Sequence, residues 1–413
     1  MIKSPSRFFF IALVVITAMP PLTVHLALPA FPAIQHDMHP SIAMLQLAIS
    51  LAMFTMAAAT MVYGPLSDRF GRRPVLLAGL ALFVAGGAIC FVAKSIEMLI
   101  FGRFVQAAGA GCGPVVARAM TSDAYGRDQL AKMLGYVAAA SVIAPTLAGP
   151  LGGFLIDQFD WRAGFAFATA GGAAILALAL FGLPETNRDL VRRRGAAQLA
   201  HGYVQVFALP GFTPYALQIA FASGAFFAFL TTAPYVAVNV IGLTATQYGL
   251  WFTLLPLGYA VGSLIAGRLN ARLAVDRVVF LGGAVIIVSV VAMTVWAGID
   301  TLSPYALFLP MFVMSIGQGI GTPSAQAGGI ALARNLAGTA SGMFIFIQWT
   351  MAAICAQISG VIADGTVYPA LALILGASIL SFMSSITVAV QGARRRRAAV
   401  LAPVTAQPSA DTN

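Results

Sequence analysis

The chain has 413 residues, 60% hydrophobic and 9% charged, with a formal net charge of +10 and a mean hydropathy of +0.90. A water-soluble domain carries roughly a quarter of its residues as charges, so a soluble fold is excluded. The basic excess sits in short clusters between apolar runs, which is the pattern of membrane insertion and not of a nucleic-acid-binding surface.

In chain order, apolar segments of bilayer-spanning length recur at 8–34, 42–63, 75–93, 96–119, 133–156 and 163–183. A second set follows at 212–240, 248–267, 278–297, 302–323, 337–363 and 367–390. The first run follows Lys3 and Arg7 as a signal peptide would, yet it is too long for one and lacks a small-residue cleavage site. It is read as a retained span. Between the sets, 184–211 carries Pro184, Glu185, Arg188, Asp189 and Arg192 to Arg194, a polar linker.

The expected fold class is therefore an all-α membrane protein of twelve transmembrane helices. A six-helix half covers 1–186, a cytoplasmic linker 187–211, a second six-helix half 212–393 and a cytoplasmic tail 394–413. With the N-terminus cytoplasmic, Lys94 and Arg162 are the only basic residues of the 23 outside, and Arg103 alone falls within a span. That asymmetry puts both termini in the cytoplasm. The halves also echo each other: Gly64-Pro-Leu-Ser-Asp68-Arg69 follows the second span and Gly267-Arg-Leu-Asn-Ala271-Arg272 the eighth, without the acid.

The strongest motif is Gly64-Pro65-Leu66-Ser67-Asp68-Arg69-Phe70-Gly71-Arg72-Arg73-Pro74, in the loop between spans two and three. Its glycines permit a tight turn and close helix approach. Asp68 can cap a neighbouring helix N-terminus, and the arginines anchor at the membrane face. Arg103 is the only charge deep in a span, and a central arginine costs at least ~2.5–3.5 kcal/mol on insertion scales. It calls for an aqueous cavity or polar partners, and Gln106 lies one turn along the same face. Gly149 and Gly153, flanked by Pro145 and Pro150, allow span five to bend and pack closely.

These features resemble the major facilitator superfamily, over nearly the whole chain. Arg103-x-x-Gln106-x-x-Gly109 is similar to that family's pattern in span four, and Ala144-Pro145 through Gly149-Pro150 to Gly152-Gly153 to its antiporter motif. Pro29-Ala30-Phe31-Pro32, Trp161-Arg162 and Ala337-Gly338-Thr339-Ala340-Ser341 resemble its twelve-span drug:proton antiporter branch, of the bicyclomycin/chloramphenicol-resistance type.

The resemblance implies two halves around a central cavity, rocking between inward-facing and outward-facing states in a bacterial inner membrane, with small drug-like compounds exported against protons. It gives Asp68 the capping of span eleven in the outward-facing state and pairs Arg72 with Asp123. Gly64, Asp68, Arg69, Gly71, Arg72, Arg73 and Asp123 would then gate. Pro145, Gly149, Pro150 and Gly153 would seal the interface between helices. His25, Arg103 and Gln106 would couple, and Phe226, Tyr235, Trp251 and Gln348, with Trp349, would line the cavity. His25 departs from the pattern, standing where relatives commonly carry an embedded aspartate. A histidine can carry a proton there, or serve as a neutral hydrogen-bonding group.

Other features carry less. Cys90, Cys112 and Cys355 read as small apolar packing residues, and His36-Asp37-Met38-His39 as a solvated outer loop with no metal expected. Arg394 to Arg397 reads as a lipid headgroup anchor. The sequence lacks a Gly-x-x-x-x-Gly-Lys loop, so direct ATP drive is not expected. The expected partners are a small-molecule substrate, protons and the bilayer, a monomer is the expectation the family resemblance brings, and the proton gradient is expected in place of any cofactor. The rival readings are a nutrient or metabolite carrier of the same fold and, more remotely, a membrane-embedded sensor or enzyme.

Overall fold

The computed structural model describes residues 7–125, 127–187, 196–299, 303–333 and 336–401. The first half comprises α1 (Arg7–Ala27), α2 (Phe31–Met38), α3 (Ile42–Phe70), α4 (Arg72–Phe91), α5 (Ile96–Ala110), α6 (Cys112–Ala124), α7 (Arg127–Gln158) and α8 (Arg162–Gly182). The second comprises α10 (Phe212–Tyr235), α11 (Ala245–Phe252), α12 (Leu254–Asn270), α13 (Val275–Ile299), α14 (Pro304–Leu332), α15 (Ala337–Val361) and α16 (Tyr368–Leu401). Among the described residues, ten helices are long and apolar enough to span a bilayer, eleven with the bent pair of α1 and α2. The remaining expected span falls on α7, part of whose side chains lie outside the described residues. So do those of Lys3, Arg7, Arg127, Lys132, Arg188, Arg192, Arg193, Arg194 and Arg334.

Local chemistry sets the helix ends. Ser41, Ser95 and Ser303 each accept a first-turn amide, from Met44, Met98 and Ala306 at 3.2 to 3.3 Å. Thr244 and Gln247 form a reciprocal capping box at the start of α11. Gly71, at φ +98°, turns the chain between α3 and α4 in a conformation that side-chain-bearing residues avoid.

The structure adds detail to the first span and to the linker. The first span is not one helix over 8–34: it bends by 40° between Phe8–Met19 and Pro21–Met38, and a 3-10 turn at Leu28–Ala30 interrupts it. Prolines 20, 21, 29 and 32 remove amide donors and crowd the preceding turns. Within the linker expected at 187–211 lies α9 (Ala196–Phe207).

Among the described residues, the halves are fastened chiefly at one end. The largest apolar cluster joins Leu28, Ile34, Leu45, Ile49 and Met53 of the first half to Phe227, Leu230, Phe252 and Leu255 of the second. Two further clusters stay within single halves: one holds Leu13, Ile16, Leu76, Leu80 and Met120, the other Phe212, Tyr215, Ile219 and Phe344. They lie toward the end that gathers Arg69, Arg72, Arg73, Arg268, Arg272 and Arg394 to Arg397, here called the basic end. The joined end is the distal one.

Candidate functional site

At the basic end, Arg72 in the first turn of α4 is the hub of a charge cluster. Its Nη1 donates to Ser67 Oγ at 2.7 Å and pairs with Asp68, while Nε donates to Asp123 Oδ2 at 3.1 Å. The Arg72 side chain is 12% exposed against 42% for Asp68 and 27% for Asp123, so both carboxylates lean on one shielded cation. Arg73 donates to Leu180 O at 2.6 Å, and Arg69 lies exposed over the Phe70 ring at 5.0 Å. A Cβ at Gly64 would meet Val115 at an ordinary 3.8 Å, whereas one at Gly71 would strike Glu185 Oε2 at 2.6 Å.

Glu185 is the member of this cluster that sequence reasoning missed. Its carboxylate accepts the Arg72 and Arg73 amides at 2.9 and 3.0 Å, capping α4 where Gly71 offers no side chain. Next to it, Thr186 Oγ1 donates to Asp123 Oδ2 at 3.1 Å and Asn187 Nδ2 to Asp68 O at 3.1 Å. An acid at the end of span six was the available signal, but its partner lies over 100 residues earlier. Glu185→Ala is expected to cost about 1 kcal/mol of stability, the usual worth of a lost cap. Faster hydrogen exchange confined to the first turn of α4 would show it, and unchanged exchange there would rule the cap out.

Asp68 makes no hydrogen bond or ion pair with α15 among the described residues. The N-cap of α15, Leu336, carries no side-chain cap. The span-eleven cap implied by the family resemblance is thus unmade in this arrangement.

His25 on α1 is 7% exposed, its ring centroid 5.1 Å from that of Phe252 on α11, and its Nδ1 has no hydrogen-bond partner among the described residues. Phe252 reaches across from the second half and wedges against α7, where a Cβ at Gly149 would lie 2.7 Å from the ring. Arg103 on α5 is 5% exposed, donates to Gln106 Oε1 at 2.8 Å and stands 6.0 Å over the Phe165 ring. No carboxylate pairs with it among the described residues. A buried cation has here been given an amide and an aromatic face in place of a counter-ion.

The aromatic candidates separate. Phe226 packs edge-on to Phe227, which meets Trp349 at 5.2 Å, and Trp349 rests on Ala52, Met56 and Ala107 of the first half. Gln348 is its half-buried neighbour on α15. Trp251 instead stacks on Phe308 within the second half, and Tyr235 lines a small distal recess with Gln35, Gln46 and Ser359. His36, Asp37 and Met38 form the last turn of α2 where a solvated loop was expected, and Asp37 Oδ2 is taken by Trp161 Nε1 at 2.9 Å and Arg162 Nη1 at 3.3 Å.

The α7 motif forms the tightest contact between the halves. Gly153 stands on the Ala245 carbonyl and Gly249 on the Gly149 carbonyl, backbone against backbone. Pro145 is buried and Pro150 half-buried beside them. Asp157, one turn beyond Gly153, accepts the amides of Thr246 at 2.8 Å and Ala245 at 3.3 Å. Gln46 Nε2 donates to Thr231 O at 2.9 Å, and Ser50 Oγ to Gln357 Oε1 at 2.7 Å. All these crossings lie at the distal end.

Two bundles of membrane-spanning helices, joined at one end and carrying a charged cluster at the other, have the architecture of a membrane transporter. Residues 11–356 match the model of the major facilitator superfamily, and the chain belongs to that superfamily. It is 24% identical over 372 residues to a bicyclomycin resistance protein homolog of Haemophilus influenzae, covering 89% of this chain and 93% of that one. To multidrug resistance protein D of Escherichia coli K12 it is 27% identical over 354 residues, covering 85% and 88%. A solved peptide transporter shares the fold, with a TM-score of 0.75 at 14% identity over 95% and 97% of the two chains.

Proposed function

We propose that the chain is a monomeric exporter of small drug-like compounds across a bacterial inner membrane, driven by inward proton movement. The observation that carries this reading is Arg103, a buried cation held by Gln106 and Phe165 without a carboxylate. Such a group is costly in a bilayer and is retained where solute or protons act on it. The names of the two drug-resistance relatives supply the substrate class.

The basic end is cytoplasmic, with both termini, because Lys and Arg collect there. The arrangement described is then inward-facing: fastened outside, with the cytoplasmic latch of Asp68, Arg72 and Asp123 not engaged with α15. Engaging that latch and releasing the distal contacts converts it to the outward-facing state, so each ligand drives the cycle by its unequal affinity for the two states. His25 is the proton carrier in this scheme, covered by Phe252 in the inward-facing state.

The test is proton movement in inside-out vesicles with an acidic interior, with a panel of antimicrobials added in turn. Compounds are expected to dissipate the gradient through the wild type, and His25→Ala to lose that response while still binding substrate. A full response in His25→Ala removes the histidine from the scheme. Labelled solute crossing without proton movement replaces the antiporter with a differently coupled carrier.

A further inference from the structure

We propose that the distal recess between the halves is a ligand site of its own, which takes a neutral molecule carrying an N–H or O–H donor on a compact apolar body. Occupied, it holds the distal seam shut. The inference rests on the alternating access proposed above, but not on the choice of substrate or on proton coupling.

Both halves build the recess. Gln35 of α2 and Gln46 of α3 line it from one side, and Tyr235 of α10, Ser359 of α15 and the turn into α16 from the other. It encloses about 550 Å³ of empty space, its open mouth included, which is within the range of small-molecule pockets. Gly360 lets α15 close on α3, since a Cβ there would meet Gln46 Cγ at 2.5 Å.

The hydroxyl protons of the walls are already committed to protein acceptors. Thr231 donates to Phe227 O at 3.0 Å and Thr232 to Ala228 O at 2.9 Å, so Ser359 donates to Thr232 across 2.7 Å. Thr366 donates to Asp364 Oδ1 at 2.6 Å. Gln46 turns its Nε2 to Thr231 O at 2.9 Å, and a carbonyl accepts only from the amide nitrogen, which fixes Oε1 as the free atom. That oxygen has no partner among the described residues, although Gln46 is 4% exposed. A buried acceptor left without a donor is costly, and a molecule that brings one removes the cost. Among the described residues no charged side chain lines the recess, so a charged ligand would lose its hydration there without a counter-charge. Phe31, Leu45 and Ala370 supply apolar wall for the ligand's body.

Because its walls come from both halves, the recess exists only while the distal seam is closed. A ligand in it binds that state and not the open one, and biases the carrier toward closure by mass action.

The probe is benzamide, a neutral N–H donor on one aromatic ring, with acetophenone as its isostere without the donor and benzoate as its charged counterpart. Binding to the full chain in nanodiscs is read by saturation-transfer NMR against empty nanodiscs. The seam is read by distances between spin labels on Lys94→Cys and Ile299→Cys, exposed distal positions of opposite halves, with Cys90, Cys112 and Cys355 all buried. Benzamide is expected to bind at least about ten-fold more tightly than acetophenone, as for a buried acceptor that gains or lacks its donor, and benzoate not to bind. At about ten times its dissociation constant, benzamide is expected to lower the long-distance population about ten-fold relative to the short one. Gln46→Leu should bind the two neutral probes equally. Ala363→Leu, which fills the recess from the α15–α16 turn, should weaken benzamide at least about ten-fold. Equal affinity for benzamide and acetophenone in the wild type, unchanged binding in Ala363→Leu, or binding that leaves the distances unmoved overturns the inference. So does a recess that takes up water alone. A chain in which benzamide closes the seam but no drug moves protons loses the proposed function and keeps this site.

Discussion

Replacing Arg103 by leucine is expected to raise the thermal midpoint of the protein while abolishing substrate-driven proton movement. The two effects have one origin. Arg103 is 5% exposed and is compensated by one hydrogen bond to Gln106 and the face of Phe165. Replacing buried ions by apolar residues of similar volume is often neutral or stabilising by about 1–4 kcal/mol. Leucine orphans Gln106 Oε1, which returns about 1–3 kcal/mol of that gain, so at the middle of both ranges the net rise is small, about 0.5 kcal/mol, and it grows when Gln106 is made apolar too. Transport should fall at least about ten-fold, as for the loss of one charge-assisted interaction. A lowered midpoint would make Arg103 a structural tie, and undiminished flux would remove it from the mechanism.

The second large effect is expected at Gly153, where alanine alone should suffice. Its Cβ would be driven into the Ala245 carbonyl, and main chain has no rotamer into which to retreat. Overpacking of this kind costs about 1–3 kcal/mol, and the penalty applies only while the seam is closed. The inward-facing population should therefore fall about ten- to hundred-fold, with distal thiol probes reacting faster and efflux reduced to match. Gly171→Ala is the matched control, because nothing lies within 4 Å of the Cβ it would add. Equal efflux in both variants would mean that closure at Gly153 does not limit transport.

Length and composition made the spans legible, and Gly71 announced the turn between α3 and α4. What stayed hidden is which face of each helix meets the other half. In a bilayer every face is apolar, so the periodicity that orients a soluble helix is absent. That is why Trp349 crossing to Ala52 and Met56, and Phe252 wedging between His25 and Gly149, were invisible. The contacts of Glu185 and Asp157 escaped for another reason. Each joins a carboxylate to backbone amides 88 to 113 residues away, and amides carry no sequence signature. The bend in the first span was readable in its prolines, though length alone suggested a straight crossing.

The α7–α11 contact also has a consequence for solvent. Where Gly149, Gly153, Gly249 and Ala245 meet main chain to main chain, the seam leaves no room for water, so opening it means wetting a surface that was dry. The outward-facing state is thus the more hydrated of the two at this end, and the equilibrium between them responds to water activity as well as to solute and protons. Osmolytes excluded from protein surfaces favour burial and so hold the seam shut. In the orientation proposed above, a cell under osmotic stress would find this carrier resting with its door to the cytoplasm open.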